Sequence, residues 1–148
     1  DALLSSLLIH CGFLSNSSTP SPSLPFLHVE PPLPAPISSL LSFHTPEYVA
    51  ALRHPSPPLH SLERHNLVDD NPHPSSSQSS SSSPAILLPY LQLLAGASLH
   101  AATLLLKKTK PHYSVAINWG GGRHHAHASR ASGFCYINDI VLAIHRLR

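Results

Sequence analysis

Charged residues are scarce in this sequence. Asp, Glu, Lys and Arg make up 11% of its 148 residues, whereas about 25% is typical of globular proteins. Nine basic and seven acidic side chains leave a net charge of +2. This near-balance excludes a basic stripe of the kind that binds nucleic acid through its phosphates. We therefore predict no direct contact with nucleic acid.

Cysteine is rare and methionine is absent. Cys11 and Cys135 are far apart and form no CxxC motif, which excludes a disulfide framework and fits a reducing compartment. The chain begins with Asp1 and ends at Arg148 inside a helical pattern. Together with the lack of methionine, these features lead us to expect a piece of a longer protein.

Long apolar runs are few, and one of them is long enough to span a bilayer. Residues 86–106 carry no formal charge and satisfy that length requirement. They contain Pro89, Gln92 and His100, and they lack the flanking aromatic belts typical of membrane helices. We therefore predict a buried helix and no contact with a membrane.

Proline and serine, by contrast, are abundant and divide the chain. Seven of the 16 prolines lie in residues 15–36, and because proline has no amide hydrogen, this stretch predicts an extended connector. Residues 73–84 include the run SSSQSSSSS. Such a run cannot bury apolar surface, so we predict a disordered insertion there.

Helix signals appear at three places. Thr45 followed by Pro46 is typical of an N-cap and first helical residue, and predicts a helix to about Arg53. A second helix is predicted for residues 89–108, where the small residues 96–98 would allow another element to approach closely, and a third for residues 138–147.

A strand and a glycine turn precede the third helix. Residues 114–119 form a short, β-branched apolar run, which predicts a buried parallel strand. The three glycines after it, residues 120–122, can turn the chain sharply. Helix, strand, glycine turn and helix in this order indicate an α/β fold.

Two adjacent histidines, His124 and His125, follow the glycine turn. In open α/β sheets ligands bind beyond the carboxyl ends of the strands, and an imidazole can act as base and then acid near neutral pH. Two other interpretations stay open at this point. The pair could be a solvated structural feature, or it could bind zinc with His127, although zinc normally also draws on a distant ligand pair.

Several segments resemble one known family. The stretch VAINWGGGRHHAHASRASGFCYINDIVLAIHRLR, residues 115–148, closely resembles the zinc-dependent histone deacetylases, nearest to their class I members. FHTPEYVAAL (residues 43–52) and NLVDDNP (residues 66–72) are similar to family segments in the same order, and so are the helical residues 90–103 and the early helical pattern of residues 2–14.

This resemblance implies an arginase/deacetylase-type α/β fold, with a parallel sheet and flanking helices, of which residues 1–148 would be an N-terminal part. His124 and His125 match the general base and acid of the family, and Asp70 matches the acid at the rim that holds the substrate backbone. Gly133 and Phe134 match the wall of the acetyl-lysine tunnel, and Cys135 lies beside its floor. Arg123 departs from the family, many of whose members carry an aromatic residue there.

The resemblance also implies a cofactor and partners. The complete domain would hold Zn²⁺, whose ligands we expect to be absent from this chain. Expected substrates are acetylated histone tails or other acetyl-lysine proteins, with a corepressor complex as a partner, in the nucleus or also in the cytoplasm. Two alternatives remain open: a deacetylase of acetylpolyamines or other small amides, and a non-catalytic Ser/Pro-rich interaction fragment.

Overall fold

The computed structural model describes residues 31–68, 87–108, 110 and 112–148. Apart from Pro31, these residues belong to one compact unit, residues 32–148. The helices within them are α1 (Ile37–Leu40), α2 (Pro46–Arg53), α3 (Leu59–Arg64), α4 (Leu87–Leu106) and α5 (Asp139–Leu147). The predicted early helix, most of the proline-rich connector, the serine-rich insertion and Asp70 lie outside the described residues.

Helix α2 begins as its sequence predicts. The hydroxyl oxygen of Thr45 accepts a hydrogen bond from the Tyr48 amide at 3.4 Å, and Pro46 is the first helical residue. The helix ends at Arg53, before a cluster of prolines. Helix α3 then starts after Pro58; it was not predicted, because a six-residue helix among prolines leaves little periodic signal.

Helix α4 is two residues earlier at each end than the prediction. Its small residues do allow a close approach, because a Cβ on Gly96 would lie 1.9 Å from the carbonyl oxygen of Leu33. Two hydrogen bonds of 2.8 Å, between Ala35 and Gln92, fasten the same extended segment to the helix. The sequence therefore predicted this contact correctly without identifying the partner.

Helix α4 is also long and apolar enough to cross a membrane by length and composition alone. The core helix of a soluble protein satisfies the same criterion. One face of α4 packs into the hydrophobic core through Leu88, Leu91, Leu94 and Ala95. This packing supports the predicted buried helix at those positions.

The strand predicted for residues 114–119 is not observed. Among the described residues the only β-type pairing is an isolated antiparallel bridge between Ser132 and Cys135. Val115, Ile117 and Trp119 are exposed by 71%, 61% and 62%. A strand requires a neighbouring strand to complete its hydrogen bonds. No described segment pairs with residues 114–119 in this way. The predicted parallel sheet is thus absent from the described part of the chain.

Helix α5 confirms the third prediction. Asn138 is its N-cap, with the side-chain oxygen accepting from the Val141 amide at 3.1 Å, and the helix runs to Leu147. Helices α4 and α5 pack against each other. The largest fully buried apolar side chains of the core are Leu40, Tyr48, Leu67, Ile137 and Leu142.

Candidate active site

The paired histidines lie in the loop between the glycine turn and α5. Both imidazoles are exposed, and their ring centroids are 4.1 Å apart. The Nδ1 atom of His124 lies 3.0 Å from the carbonyl oxygen of Gly122. Since a carbonyl can only accept, this contact places the ring proton on Nδ1 of the neutral imidazole. The Nε2 atom of His124 then carries a free lone pair, as a general base requires.

The orientation of His125 depends on Gly133. A Cβ at position 133 would lie 2.9 Å from Cγ of His125 and 3.1 Å from its Cβ. Gly133 also has a φ of +52°, in the left-handed region that side chains disfavour. Glycine is therefore required here both by backbone conformation and by contact with the imidazole.

A tight turn presents Phe134 to the solvent. Ser132 and Cys135 exchange two backbone hydrogen bonds of 3.1 and 2.9 Å, and both residues between them have positive φ, with Phe134 at +61°. Positive φ at both central positions is the geometry of a primed hairpin turn, and it is strained for phenylalanine. The ring is 76% exposed.

These contacts bring four of the predicted site residues into one loop: His124, His125, Gly133 and Phe134. Cys135 is placed differently. Its thiol is free and its side chain is buried, with 6% exposed. Asp70 lies outside the described residues, so its assignment to the rim stays a prediction.

A cavity of about 160 Å³ opens beside Phe134, between the site loop and α4. Its lining is mostly apolar and consists of Leu87, Tyr90, Leu91, Leu94, Arg123, Phe134, Tyr136 and Ile137. The Nε atom of Arg123 is buried there without a hydrogen-bond partner. Arg123 is the one charged side chain of this lining.

A buried histidine, His44, connects the loop to the start of α2. Its side chain is 1% exposed. Its Nε2 accepts a hydrogen bond from the Asn138 amide at 3.1 Å, which leaves Nδ1 to donate to the carbonyl of Ala128 at 3.2 Å. Burial lowers the pKa of His44 below its usual 6.5. The ring is therefore held neutral, in the one tautomer that satisfies both partners.

The side chain of Asn138 holds the histidine pair from the other side. Its amide nitrogen donates to the carbonyls of His124, at 3.3 Å, and Ala126, at 3.0 Å. Because the same side chain caps α5 through the Val141 amide, the loop backbone and the helix start are fixed to each other.

Two further side chains hold the loop backbone. The Tyr48 hydroxyl donates to the carbonyl of Tyr136 at 2.7 Å, and burial raises the pKa of Tyr48, so the hydroxyl stays a neutral donor. Nδ1 of His65 lies 2.6 Å from the carbonyl of Ser129. These roles of Tyr48 and His65 were not predicted from the sequence. The available signal was a histidine and a tyrosine four residues apart, His44 and Tyr48, on the buried side of a helix start.

The amino-acid sequence that forms this site is similar to sequences of known proteins. The sequence profile of the histone deacetylase domain matches residues 9–148. The chain belongs to the histone deacetylase family. Similar relatives include Histone deacetylase 2 of Oryza sativa, which is 41% identical over 143 residues, and Histone deacetylase HDAC1 of Drosophila melanogaster, which is 40% identical over 118 residues.

The extent of these matches differs greatly between the two partners. The rice match covers 93% of this chain but 24% of the relative, and the Drosophila match covers 76% of the chain and 20% of the relative. The chain therefore spans about a quarter of the length of the relatives that it matches. Membership of the family implies the arginase/deacetylase fold.

The histone deacetylase family is in general zinc-dependent. In the part of the chain that the structure describes, no group of three or more His, Cys, Asp or Glu side chains could hold a metal ion. The interpretation of residues 124, 125 and 127 as a self-contained zinc site is therefore wrong. Among the described residues, no set of side chains fits a metal site, and the proton-transfer and wall roles stay predictions.

Proposed function

We propose that this chain contributes the acid/base pair of a protein lysine deacetylase that hydrolyses acetyl-lysine in histones. The observation that carries the proposal is the geometry of His124 and His125. Two exposed imidazoles lie side by side, and the contact of His124 with Gly122 leaves Nε2 as a free acceptor.

Amide hydrolysis requires two proton movements. A proton must leave the attacking water, and a proton must reach the departing lysine amine. Two adjacent imidazoles can divide these tasks, with one as base and the other as acid. Zn²⁺ would belong to the complete domain, and because the described residues hold no metal site, the proposal assigns only the proton transfers to this chain.

Phe134 supports an acetyl-lysine substrate. Its exposed ring stands next to Gly133, which packs on His125, and an aromatic face suits the four methylenes of a lysine stem. We propose acetylated histone tails or other acetyl-lysine proteins as substrates. Asp70 as the rim acid, a corepressor complex as partner and a nuclear location, with the cytoplasm as a further site, belong to the same proposal.

The histidine pair is tested in a preparation of the complete deacetylase domain that contains this segment. His124→Ala and His125→Ala should each lower kcat by about 10²–10⁴-fold, the usual contribution of a general acid or base. Zinc content, measured by atomic absorption, should not change. The control is His60→Ala, since His60 is an exposed histidine on α3. Loss of zinc would identify the pair as ligands, and an unchanged rate would make the pair structural.

The wall role of Phe134 has a different kinetic signature. Phe134→Ala should raise KM for an acetyl-lysine peptide and change kcat little, because an apolar wall grips ground and transition states alike. A preparation that turns over an N-acetylpolyamine faster than the peptide would contradict the protein substrate. The 148-residue chain alone is expected to show no stoichiometric zinc and no turnover; robust turnover with metal would contradict that.

A further inference from the structure

A polar cluster of the buried residues Ser98 and Asp139 and the half-buried Asn118 lies behind the glycine turn. Ser98 is on α4, Asp139 is the first residue of α5, and their side chains are buried, with 9% and 1% exposed. The Ser98 hydroxyl donates to the Asp139 carboxylate at 2.5 Å, and the Asn118 side-chain amide donates to the Ser98 hydroxyl at 2.9 Å. We infer that these three side chains are positioning residues for the His124–His125 pair.

The cluster accounts for the amides of the turn before the histidines. The side-chain oxygen of Asn118 accepts from the Gly120 amide at 3.1 Å, and its carbonyl accepts from the Gly121 amide at 3.3 Å. The two Asp139 oxygens accept from the amides of Gly122, at 3.1 Å, and Arg123, at 2.7 Å. Every amide from residue 120 to residue 123 is thus directed to Asn118 or Asp139.

The packing of Gly121 shows how closely the turn is seated. A Cβ at this position would lie 2.6 Å from an Asp139 carboxylate oxygen, 2.8 Å from the Asn118 side-chain nitrogen and 3.0 Å from the Ser98 hydroxyl. Real Cβ atoms hardly approach other atoms within 3.0 Å. The turn backbone therefore lies directly on all three members of the cluster, which leaves no room for a side chain.

The position of the cluster joins the turn to the histidines. The Gly122 carbonyl that receives the His124 ring proton belongs to a residue whose amide is held by Asp139. Asn138, adjacent to Asp139, holds the carbonyl on the other side of His124. Asn138 and Asp139, consecutive residues at the start of α5, thus fix the backbone on both sides of the His124 side chain. Proton transfer requires reacting groups that are held in position in this way.

A purely structural role would need only that the helices be joined. Thr103 and Arg146 already make such a connection between α4 and α5, with a side-chain hydrogen bond of 3.1 Å that does not involve the loop. Asp139 instead directs both carboxylate oxygens to backbone amides of the turn. Ser98 and Thr103 therefore form a matched pair of hydroxyls on one helix, of which only Ser98 serves the site.

The test uses the full 148-residue chain labelled with ¹⁵N and needs no turnover, although the meaning of the cluster for catalysis rests on the proposed function. Asp139→Asn keeps the shape of the side chain but turns one acceptor into a donor. It should speed hydrogen exchange at the Gly122 or Arg123 amide by at least about tenfold. It should also weaken the nuclear Overhauser contact between the His124 and His125 rings. Ser98→Ala should do the same to a smaller extent.

The control is Thr103→Ala, which should leave both readouts unchanged. Unchanged exchange and an unchanged inter-ring contact in folded Asp139→Asn and Ser98→Ala would overturn the inference, and so would equal changes in Thr103→Ala. If both buried variants unfold, Asn118→Ala at a half-buried position decides, through the Gly120 amide and the same inter-ring contact. These results do not depend on the rate of His124→Ala, so the two proposals can fail separately.

Discussion

Residues 114–119 and residues 120–138 are neighbours in sequence and opposites in structure. The first segment has the apolar, β-branched pattern of a regular element, yet Val115, Ile117 and Trp119 are largely exposed. The second has no regular element beyond one isolated bridge. Even so, its backbone is held by hydrogen bonds from the side chains of His44, Tyr48, His65, Asn66, Asn118, Asn138 and Asp139.

The difference shows what fixes an irregular site loop. A strand becomes ordered through a neighbouring strand, whereas a loop must find a separate partner for each backbone group. Here most of those partners are buried polar side chains. Because a buried polar group without a hydrogen bond is costly, each such side chain and the loop atom that it contacts stabilise one another.

The largest effect is expected at His44. His44→Ala should lower the free energy of unfolding by about 3 kcal/mol, because it leaves the Asn138 amide without its acceptor in the interior and removes a buried ring. Chemical denaturation measures this loss. The exposed His60 provides the control, and a cost of His44→Ala below about 1 kcal/mol would show that the loop does not depend on this contact.

The next effect separates two glycines of the loop. Gly133→Ala should cost about 2 kcal/mol, from the positive φ and from the contact with His125. Gly122→Ala is a matched control, since Gly122 also has positive φ, +94°, but a Cβ there would meet nothing within 4 Å. Both variants should be destabilised, and only Gly133→Ala should shift the ring resonances of His125. Equal shifts would mean that Gly133 does not orient the imidazole.

The dependence of stability on pH sharpens the comparison further. The pKa of His44 is lowered in the folded chain, so the unfolded state takes up the proton first as the pH falls. The His44 contribution is complete above about pH 6.5 and is lost below it, by at most about 1.4 kcal/mol per pH unit. His44→Gln, which cannot titrate, should lose less stability between pH 7.5 and pH 5.5 than the unsubstituted chain. Equal losses would place the titration at other histidines.

A smaller effect of opposite sign is expected at Phe134. Asparagine tolerates positive φ better than phenylalanine, and the ring that would be removed is mostly exposed. Phe134→Asn should therefore raise the free energy of unfolding by about 1 kcal/mol or less. This gain would be measured as a higher melting temperature. The same variant should also show the higher KM that the proposed wall role of Phe134 predicts. A clear destabilisation would show that the ring contributes more packing than its exposure indicates.

The smallest effect is expected in the extended segment. Val115→Thr and Ile117→Thr should each change the free energy of unfolding by less than about 0.5 kcal/mol, as is usual for exposed positions. Denaturation of the 148-residue chain measures both. A cost above about 1.5 kcal/mol would show that these side chains are packed, and the contrast between the two segments would then disappear.

Local chemistry could be predicted where it is complete within a few residues. Thr45 and Pro46 contain the whole signal for the start of α2, and Asn138 contains the signal for the start of α5. The prediction of a strand at residues 114–119 was wrong. An apolar, β-branched pattern indicates that a segment could pair with a neighbouring strand, but it does not show that such a neighbour is present. The turn at Gly133 and Phe134 was missed because nothing local predicts that a phenylalanine will adopt positive φ.

By itself the sequence determined the family, the helices with complete end signals, and the residues offered for proton transfer, since each depends on residue types at short spacing. Tertiary structure alone decided how those residues are held. The contact between His44 and Asn138 joins residues 94 positions apart, and the contact between Ser98 and Asp139 joins residues 41 apart. Neither pairing has a periodic signature, because each arises only when the packing of α2, α4 and α5 buries a polar group that must then find a partner.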